Sequence, residues 1–379
     1  MAFAIKYQYR LVLLTHCCIS FKKHRNGEST LSPLPVLKKF FALITALFLI
    51  VTLSSCDRLV KSQIKKQIQQ LQESQEQLLT SENLHVVTLG TGGPISNKTR
   101  VSSGIAVIAD GKFFLIDVGP GIVRNLNLES LPGGRITAVL LTHFHSDHIS
   151  ELGELNFMTW ALGRPYPLDV YGPEGVDEIV NGFNQAYALD SSYRTAHHGE
   201  KWMPSKNSTM LPNTIGIAAG QDSSVIYEEN GLKIIAFQTD HSPVKPSLGY
   251  RFEYKGNVAV ISGDTVATET LAKYAENADL FFCEALNKEL ISTFSEIAEE
   301  AGNPRLSAQM HDVLDYHVSP VEAAKLAQQA KVKKLVLVHI VPPVENMIVK
   351  SLFLDGTSEA FNGEIIVAED GDHFELTPK

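Results

Sequence analysis

The sequence predicts one α/β domain that runs from about residue 84 to residue 379. Short runs of apolar and β-branched residues alternate with segments of helical periodicity, as expected when helices connect the strands of a sheet. Several of these runs are apolar at nearly every position, which is typical of strands covered on both faces. We therefore expect sheets with helices packed against them.

The strands recur along the whole domain, and each is bounded by polar or turn-forming residues. Nine are expected, at residues 85–89, 113–118, 136–141, 225–228, 232–237, 248–254, 258–261, 280–283 and 334–339.

Four helices are predicted between these strands, at residues 149–162, 175–189, 268–277 and 319–330. The last has a well-defined start, because Ser319 is followed by Pro320 at the first helical position and by Glu322 at the third, which is a capping box. Residues 190–224 are rich in Ser, Asn, Pro and His, and we expect a long loop there.

Composition excludes several classes of protein. With 44% hydrophobic and 20% charged residues among 379, the chain is neither collagen, coiled coil, disordered tail nor multi-span membrane protein. After residue 56, 26 basic residues stand against 41 acidic ones, a formal net charge of −15. A domain this acidic attracts polyanions poorly, so nucleic acid is an unlikely partner on charge alone.

The first 55 residues are interpreted as a signal segment. Residues 40–53 form an uncharged apolar run preceded by two lysines, the length of a signal-peptide core and shorter than a membrane-spanning helix. Residues 1–36 do not fit a signal peptide, and one hypothesis is that translation starts after them. The run ends in Leu53-Ser54-Ser55-Cys56, which resembles the lipobox of bacterial lipoproteins. This resemblance implies lipidation of Cys56 and a membrane-anchored protein on the periplasmic or cell-surface side; the alternative is an uncleaved signal anchor.

Residues 56–83 are predicted to connect the lipidated cysteine to the domain. Their apolar residues recur mostly at spacings of three, four and seven, which indicates an amphipathic helix with a narrow apolar stripe. A narrow stripe favours a tether over a dimerising helix, and the oligomeric state is left open. The domain itself contains one cysteine, Cys283, so no internal disulfide stabilises it.

The strongest local motif is Thr142-His143-Phe144-His145-Ser146-Asp147-His148, directly after the strand predicted at 136–141. On an extended segment His143 and His145 point to the same side, and Asp147 and His148 follow where the chain turns into a helix. Imidazole and carboxylate are ligands for zinc and related divalent ions. The spacing therefore predicts a metal site.

Further metal-ligating residues lie where other predicted strands end. His241 follows the strand at 232–237, Asp264 follows the strand at 258–261, and His339 ends the strand at 334–339. Because α/β folds display their active sites at strand ends, these three residues are expected to join the histidine cluster.

The segment from His143 to His148 resembles the signature of the metallo-β-lactamase superfamily, and the resemblance extends over residues 84–345. It implies an αββα sandwich, in which two mixed β-sheets carry helices on their outer faces, with a hydrolase domain over residues 84–379. It also implies that His143, His145 and His241 hold one metal, that Asp147, His148 and His339 hold the other, and that Asp264 bridges them. Asp117 matches the buried acid that orients the metal-binding loop. Zn²⁺ is the expected ion, and Mn²⁺ or Fe²⁺ suits the same ligands.

Within the superfamily, the sequence resembles the branch of ribonuclease Z and arylsulfatase. Cys283-Glu284-Ala285 is similar to its His-Glu-Ala-Thr motif, and His317-Val318-Ser319 to its His-Ser-Thr motif. By this resemblance Glu284 orients His317, which protonates the leaving group. Asp147 is expected to orient the attacking hydroxide as well as to bind metal.

Three departures argue against tRNA processing. Ile340-Val341-Pro342-Pro343 follows His339 in place of Ser-Ser-Arg-Tyr, residues 173–234 contain no Gly- and Lys-rich arm, and the domain is acidic. Four side chains near residue 195 are instead expected to line a pocket for a small anionic ester. They are Tyr193, Arg194, His197 and His198.

The predicted activity is hydrolysis of a phosphodiester or a small anionic ester. Two cations lower the pKa of a bridging water towards neutrality, so that hydroxide attacks in line. The alternatives are sulfate ester hydrolysis of the arylsulfatase type, tRNA 3′ processing by ribonuclease Z, lactone or β-lactam hydrolysis, and an inert binding or scaffold lipoprotein.

Overall fold

The structure is a computed structural model that describes the backbone of residues 35–379 and the side chains of residues 58–379. The boundary between its two compact units falls between Ser74 and Gln75. The first helix, α1, spans Pro35–Thr80, so the segment predicted to be an amphipathic helix is helical up to Thr80. On it, Val60, Ile64 and Ile68 are 56%, 43% and 41% exposed.

The predictions of a translation start near residue 36, of a signal segment and of a lipidated Cys56 concern residues whose side chains are not described. Within the described part of the chain, no helix combines the length and apolarity needed to cross a membrane.

The second unit contains two seven-stranded sheets, each with parallel and antiparallel neighbours. In sequence order the strands are β1 (Leu84–Gly90), β2 (Gly104–Ala109), β3 (Lys112–Ile116), β4 (Ala138–Leu140), β5 (Leu168–Gly172), β6 (Met210–Thr214), β7 (Ser223–Glu229), β8 (Leu232–His241), β9 (Val244–Tyr254), β10 (Asn257–Ile261), β11 (Leu280–Leu286), β12 (Lys334–Val341), β13 (Glu364–Val367) and β14 (His373–Leu376). The first sheet has the order β14-β1-β2-β3-β4-β5-β6, and the second has the order β13-β12-β11-β10-β9-β8-β7.

The helices connect these strands. They are α2 (Ile122–Leu128), α3 (Ser146–Ile149), α4 (Leu152–Ala161), α5 (Val176–His198), α6 (Glu269–Tyr274), α7 (Lys288–Glu300), α8 (Pro304–Asp312), α9 (Pro320–Gln329), α10 (Met347–Phe353) and α11 (Thr357–Ala360). The start predicted for α9 is confirmed, because the Ser319 hydroxyl accepts the Glu322 N–H and the Glu322 carboxylate accepts the Ser319 N–H.

Three apolar layers hold the fold together. The central one lies between the sheets, where Phe114 of β3 meets Phe252 of β9 with ring centroids 6.2 Å apart. A second layer packs α2, α4 and α5 on the first sheet, and a third packs α6 and α9 on the second. The arrangement confirms the predicted sandwich of two mixed sheets with helices outside.

The prediction of a long loop after residue 189 is wrong in its first part, because α5 continues to His198 and β6 follows at Met210–Thr214. An ion pair between Asp190 and Arg194, at 3.3 Å, supports the additional turns, and the Arg194 guanidinium lies 4.3 Å from the centroid of the Phe157 ring on α4. Tertiary packing thus overrides the loop-forming tendency of the Asp and Ser residues there.

Parallel pairing determines where the functional residues meet. β3, β4 and β5 are parallel neighbours in the first sheet, and β10, β11 and β12 are parallel neighbours in the second. Their carboxyl ends therefore lie at one edge of each sheet. A single parallel bridge from Gly92 to Ile340 joins the two sheets at that edge.

Candidate metal centre

The seven predicted metal ligands meet at this edge of the sandwich. The ligand atoms form two groups. The first group consists of His143, His145, His241 and Asp264, and the second of Asp147, His148 and His339. Within each group the ligand atoms lie no more than 4.8 Å apart. The structure thus brings together residues that are almost 200 positions apart in the chain.

Asp264 lies at the centre of the cluster. Its Oδ2 atom is 3.4 Å from the Nε2 atoms of both His148 and His339, and 3.9 Å from those of both His143 and His241. Two atoms that bind one zinc ion at tetrahedral angles are about 3.4 Å apart. The Asp264 oxygen therefore lies at this spacing from His148 and His339 of one group and slightly farther from His143 and His241 of the other.

The other half of the cluster is arranged around Asp147. The Oδ2 atom of Asp147 is 3.3 Å from Nε2 of His339 and 3.6 Å from Nε2 of His148. Its side chain is 12% exposed, whereas those of His148 and His339 are 1% and 4% exposed. Asp147 is thus the ligand of this group that is most open to solvent.

The ring nitrogens of the histidines show that the donor set fits metal ions. Nδ1 of His143 donates to the Thr142 hydroxyl at 3.0 Å, Nδ1 of His148 to Asp117 at 2.7 Å, and Nδ1 of His241 to the Tyr316 carbonyl at 3.0 Å. The Nε2 atoms of the same three rings are buried and have no hydrogen-bond partner. A buried imidazole nitrogen without a hydrogen-bond partner is positioned to bind a cation.

Asp117 organises the loop that carries the histidines, as the sequence predicts. One carboxylate oxygen accepts the Thr142 N–H at 2.8 Å, and the other accepts the Thr142 hydroxyl at 2.8 Å and His148 Nδ1 at 2.7 Å. Asp117 has a φ of 58°, in the left-handed region that few residues other than glycine adopt. Such backbone strain persists where the surrounding contacts determine a conformation, and it is frequent at functional sites.

A β-bulge presents His339. Glu284 pairs with Val338 and Ala285 pairs with Ile340, so that His339 is the extra residue of β12. Its φ is 47°, again in the left-handed region. A bulge redirects a side chain without ending the strand, and here it directs the imidazole of His339 into the cluster.

Gly119 permits the close approach of the metal-binding loop to the sheet. A Cβ atom at Gly119 would lie 2.0 Å from the carbonyl oxygen of Asp147. Two hydrogen bonds secure the same contact, from Val118 N–H to the His148 carbonyl at 2.6 Å and from Glu151 N–H to the Val118 carbonyl at 3.1 Å. Any side chain at position 119 would therefore displace the backbone of a metal ligand.

A second acid–base pair borders the cluster. Nδ1 of His317 lies 2.8 Å from Oε1 of Glu284, which also accepts the Thr265 N–H at 2.9 Å. Glu284 is 1% exposed and His317 is 6% exposed. The His317 ring lies parallel to the His339 ring, with centroids 5.5 Å apart. Glu284 thus fixes the orientation of a histidine that faces the cluster.

The charges of the site reinforce one another. Burial alone raises the pKa of the Asp264 carboxyl, but His339 and His148 outweigh it and hold that pKa well below its usual value. Burial lowers the pKa of His317, but the charge of Glu284 and its hydrogen bond outweigh this effect, so the pKa of His317 is raised. Asp264 is therefore anionic, and His317 is suited to carry a proton.

The four residues expected to line a substrate pocket are not brought to the cluster. Tyr193, Arg194, His197 and His198 lie on the last turns of α5, and none of them lines a cavity that the metal ligands line. Tyr193 is 64% exposed, and Arg194 is held by Asp190 and the Phe157 ring. The pocket expected there was inferred from a loop that is helical in the structure.

Thr142 and Tyr316 contact candidate metal ligands, and the sequence alone assigned them no role. Each bonds the Nδ1 atom of a candidate ligand, His143 and His241 respectively. The position of Thr142 directly before His143 could have indicated its role. Tyr316 acts through its backbone carbonyl, which no sequence pattern specifies.

Comparison with known proteins places the chain among metallohydrolases. Residues 112–340 match the family described as the β-lactamase superfamily domain. Ribonuclease Z of Mycobacterium marinum is 34% identical over 264 residues, which cover 69% of this chain and 88% of that protein. Ribonuclease Z of Mycobacterium bovis is 33% identical over 264 residues, covering 69% of this chain and 87% of that protein.

Solved structures share the fold. The metallo-β-lactamase fold protein YhfI from Bacillus subtilis aligns with a TM-score of 0.55 at 20% identity, covering 77% of this chain and 99% of that one. The short form of human tRNase Z aligns with a TM-score of 0.55 at 23% identity, with the same coverage. At these identities the structural similarity supports the αββα fold alone.

Proposed function

Because the chain belongs to the metallo-β-lactamase superfamily, in the branch of ribonuclease Z, we propose that its metal-dependent hydrolase centre cleaves a phosphodiester bond. The observation that carries this proposal is the buried Glu284–His317 pair beside the cluster, 2.8 Å apart. A phosphodiester releases an alkoxide that needs a proton, and a histidine oriented by a carboxylate can supply one. Lactone or β-lactam opening does not require this acid.

The residues of the cluster would hold two divalent cations, and we propose Zn²⁺ because imidazole nitrogen and carboxylate oxygen suit it. When bound, such ions activate water and neutralise charge on phosphoryl oxygens. Asp264 supplies the negative charge between the two groups of ligands, which limits repulsion between two cations. Asp147, the more exposed carboxylate, orients the attacking water by accepting a hydrogen bond, and His317 donates its proton to the departing oxygen.

RNA is the second candidate substrate. Nucleic acid was expected to be an unlikely partner, and this expectation conflicts with relatives named ribonuclease Z that are 34% and 33% identical. An RNA backbone is a phosphodiester, so the same residues would serve. The acidic net charge of the chain and the helix α5 in place of a flexible arm favour a small diester.

We also propose that the protein is a lipoprotein anchored through Cys56. The support is the apolar run 40–53 followed by Leu53-Ser54-Ser55-Cys56. Mass spectrometry of the native N-terminus tests this proposal. A lipid-modified peptide starting at Cys56 is expected, and a peptide from residues 1–30 would contradict cleavage.

The test of the activity compares two chromogenic esters, bis(p-nitrophenyl) phosphate and p-nitrophenyl sulfate, with protein purified without chelator. Asp264→Ala is the inactive variant, and Asp222→Ala is its matched control, because Asp222 bonds Lys273 and Tyr274 outside the cluster. We expect phosphodiester turnover in the wild type and in Asp222→Ala and its loss in Asp264→Ala. Hydrolysis of the sulfate ester alone would support an arylsulfatase. If neither ester were hydrolysed by protein with two ions bound, the proposal would be contradicted.

A further inference from the structure

Two cavities of different character meet at the metal centre. One of about 80 Å³ is lined by cluster residues and by a wall of apolar side chains. The other, of about 470 Å³, has serine and asparagine side chains in its lining besides the apolar Pro94, Ile95, Val101 and Pro120. Asp147 lines both, so a molecule bound at the cluster would extend one arm into each.

The apolar wall is built by β11, β12, α7, α8 and the short helical turn Val313–Asp315. Leu286, Ile291 and Val341 are 1%, 0% and 5% exposed and form a small core, against which Met310 and Val313 pack from the side of the cavity. Apart from the cluster residues, Tyr316 and His317, no polar side chain of the described part of the chain lines this cavity. The wall can therefore desolvate an apolar group but cannot pair a charge or a hydroxyl.

The second cavity has a larger share of polar side chains in its lining. Ser96, Asn97, Ser102 and Ser146 offer hydroxyl and amide groups in it. Arg100 is the only cation among its described lining residues. Its guanidinium is 7% exposed and donates to the Thr91 hydroxyl at 2.8 Å and to the Ala368 carbonyl, so it is committed to the fold. This cavity suits a polar, uncharged group.

The position of His317 assigns the two arms. His317 and Tyr316 line the apolar cavity and do not line the polar one. A proton donor must lie on the side of the oxygen that departs, so the departing oxygen faces the apolar wall. This step rests on the role of His317 in the proposed function.

From this arrangement we infer that the substrate is an asymmetric phosphodiester whose leaving alcohol is apolar and whose retained arm is polar and uncharged. The bond from phosphorus to the oxygen of the apolar alcohol breaks, and a bond from phosphorus to a water oxygen forms. The proton of His317 passes to the departing oxygen. The products are the apolar alcohol and a phosphomonoester of the polar arm.

The size of the apolar cavity limits the alcohol. Its 80 Å³ is about half of the roughly 150 Å³ that holds benzene in an engineered protein cavity. A short alkyl chain of a few carbon atoms fits this volume. Among the described residues that line the two cavities, Arg100 is the only Lys or Arg, and it is committed to the fold. Successive phosphates of an RNA chain would therefore find no free Lys or Arg there, which also favours a small diester.

The test uses the methyl, ethyl, propyl and butyl esters of thymidine 5′-phosphate with the metal-loaded protein. Both possible leaving groups are primary alcohols, so product identity reports which arm faces His317. We expect thymidine 5′-phosphate as the product, with kcat/KM rising about fourfold for each buried methylene and about 60-fold from methyl to butyl. Release of thymidine, or a butyl-to-methyl ratio below twofold, would overturn the inference.

Two variants locate the effect on the wall. Val313→Phe fills the cavity from a half-buried position, and we expect it to reduce the butyl-to-methyl ratio to less than about tenfold. Met310→Ala removes a contact of the wall and is expected to reduce the ratio several-fold. Leu306→Ala is the matched control, because Leu306 lies one turn earlier on α8, is 41% exposed and does not line the cavity. An equal ratio in all three variants would contradict the assignment.

Failure of this inference and failure of the proposed function give different results. If the protein does not cleave phosphodiesters, all esters remain intact with the wild type, including bis(p-nitrophenyl) phosphate. If only the inference is wrong, bis(p-nitrophenyl) phosphate is hydrolysed while the alkyl series shows no dependence on chain length or releases thymidine.

Discussion

The substitution Asp117→Asn tests how the site fixes its metal ligands. The Asp117 carboxylate is 4% exposed and accepts three hydrogen bonds, two from Thr142 and one from His148, at 2.7–2.8 Å. Asparagine keeps one oxygen for the Thr142 N–H but presents an NH₂ group to the Thr142 hydroxyl and to His148 Nδ1–H. One acceptor oxygen, which receives two hydrogen bonds, is thereby replaced by a donor.

The expected consequence is a change in the proton position on His148. With its Nδ1–H facing a donor, the ring is favoured in the tautomer that carries the proton on Nε2, the atom aimed at Asp264 and Asp147. A protonated nitrogen cannot bind a metal. Substitution of groups that orient metal-binding histidines typically reduces metal affinity about 10- to 100-fold, which corresponds to about 1.4–2.7 kcal/mol.

The assay is calorimetric titration of Zn²⁺ into chelator-stripped protein, with a competing chelator. Asp110→Asn is the matched control, since Asp110 also has a positive φ, 52°, but bonds only Asn230, outside the cluster. Asparagine tolerates this backbone conformation, so both variants should fold. The reasoning would be refuted if Asp117→Asn bound each equivalent of Zn²⁺ with unchanged affinity, or if Asp110→Asn lost as much Zn²⁺ affinity as Asp117→Asn.

Three further predictions concern other parts of the domain. Gly119→Ala places a Cβ 2.0 Å from the Asp147 carbonyl; we expect kcat on bis(p-nitrophenyl) phosphate to fall at least about tenfold and urea denaturation to show a loss of about 1–3 kcal/mol. His317→Ala should slow alkyl leaving groups about 10²- to 10⁴-fold and p-nitrophenolate far less, and equal slowing would exclude it as the acid. Burial raises the pKa of Asp279, but two lysines outweigh it and lower that pKa. The ionised Asp279 carboxylate therefore stabilises the folded protein, and this contribution is lost on acidification as the carboxyl becomes protonated. The urea midpoint of the wild type should fall between about pH 5 and 3, and that of Asp279→Asn should fall less.

The metal ligands could be predicted from sequence because their positions follow from local rules. His143, His145, Asp147 and His148 are grouped at the end of one strand. His241 ends β8, and Asp264 follows β10 closely. The regular alternation of strands and helices then brings strand ends together. The two-sheet architecture was implied by the resemblance to the metallo-β-lactamase superfamily and not by this alternation.

Features that depend on distant contacts could not be predicted in this way. The bulge that redirects His339 arises from pairing between β11 and β12, and the strained backbone of Asp117 is maintained by Thr142 and His148. The helices α7 and α8 were not predicted, although α7 buries Ile291, Ser295 and Ala298 along one face. α8 has no fully buried residue, and its Met310 lines the cavity beside the metal centre.

The most direct test of the two-ion hydrolase centre is an activity titration of chelator-stripped protein with Zn²⁺, followed by native mass spectrometry at each step. The geometry around Asp264 predicts that two equivalents bind and that hydrolysis of bis(p-nitrophenyl) phosphate rises with them to a plateau. Asp264→Ala should bind fewer ions and remain inactive throughout. The assignment of a two-ion centre would be contradicted if the metal-free protein were fully active, or if activity reached its plateau with no ion bound at the cluster.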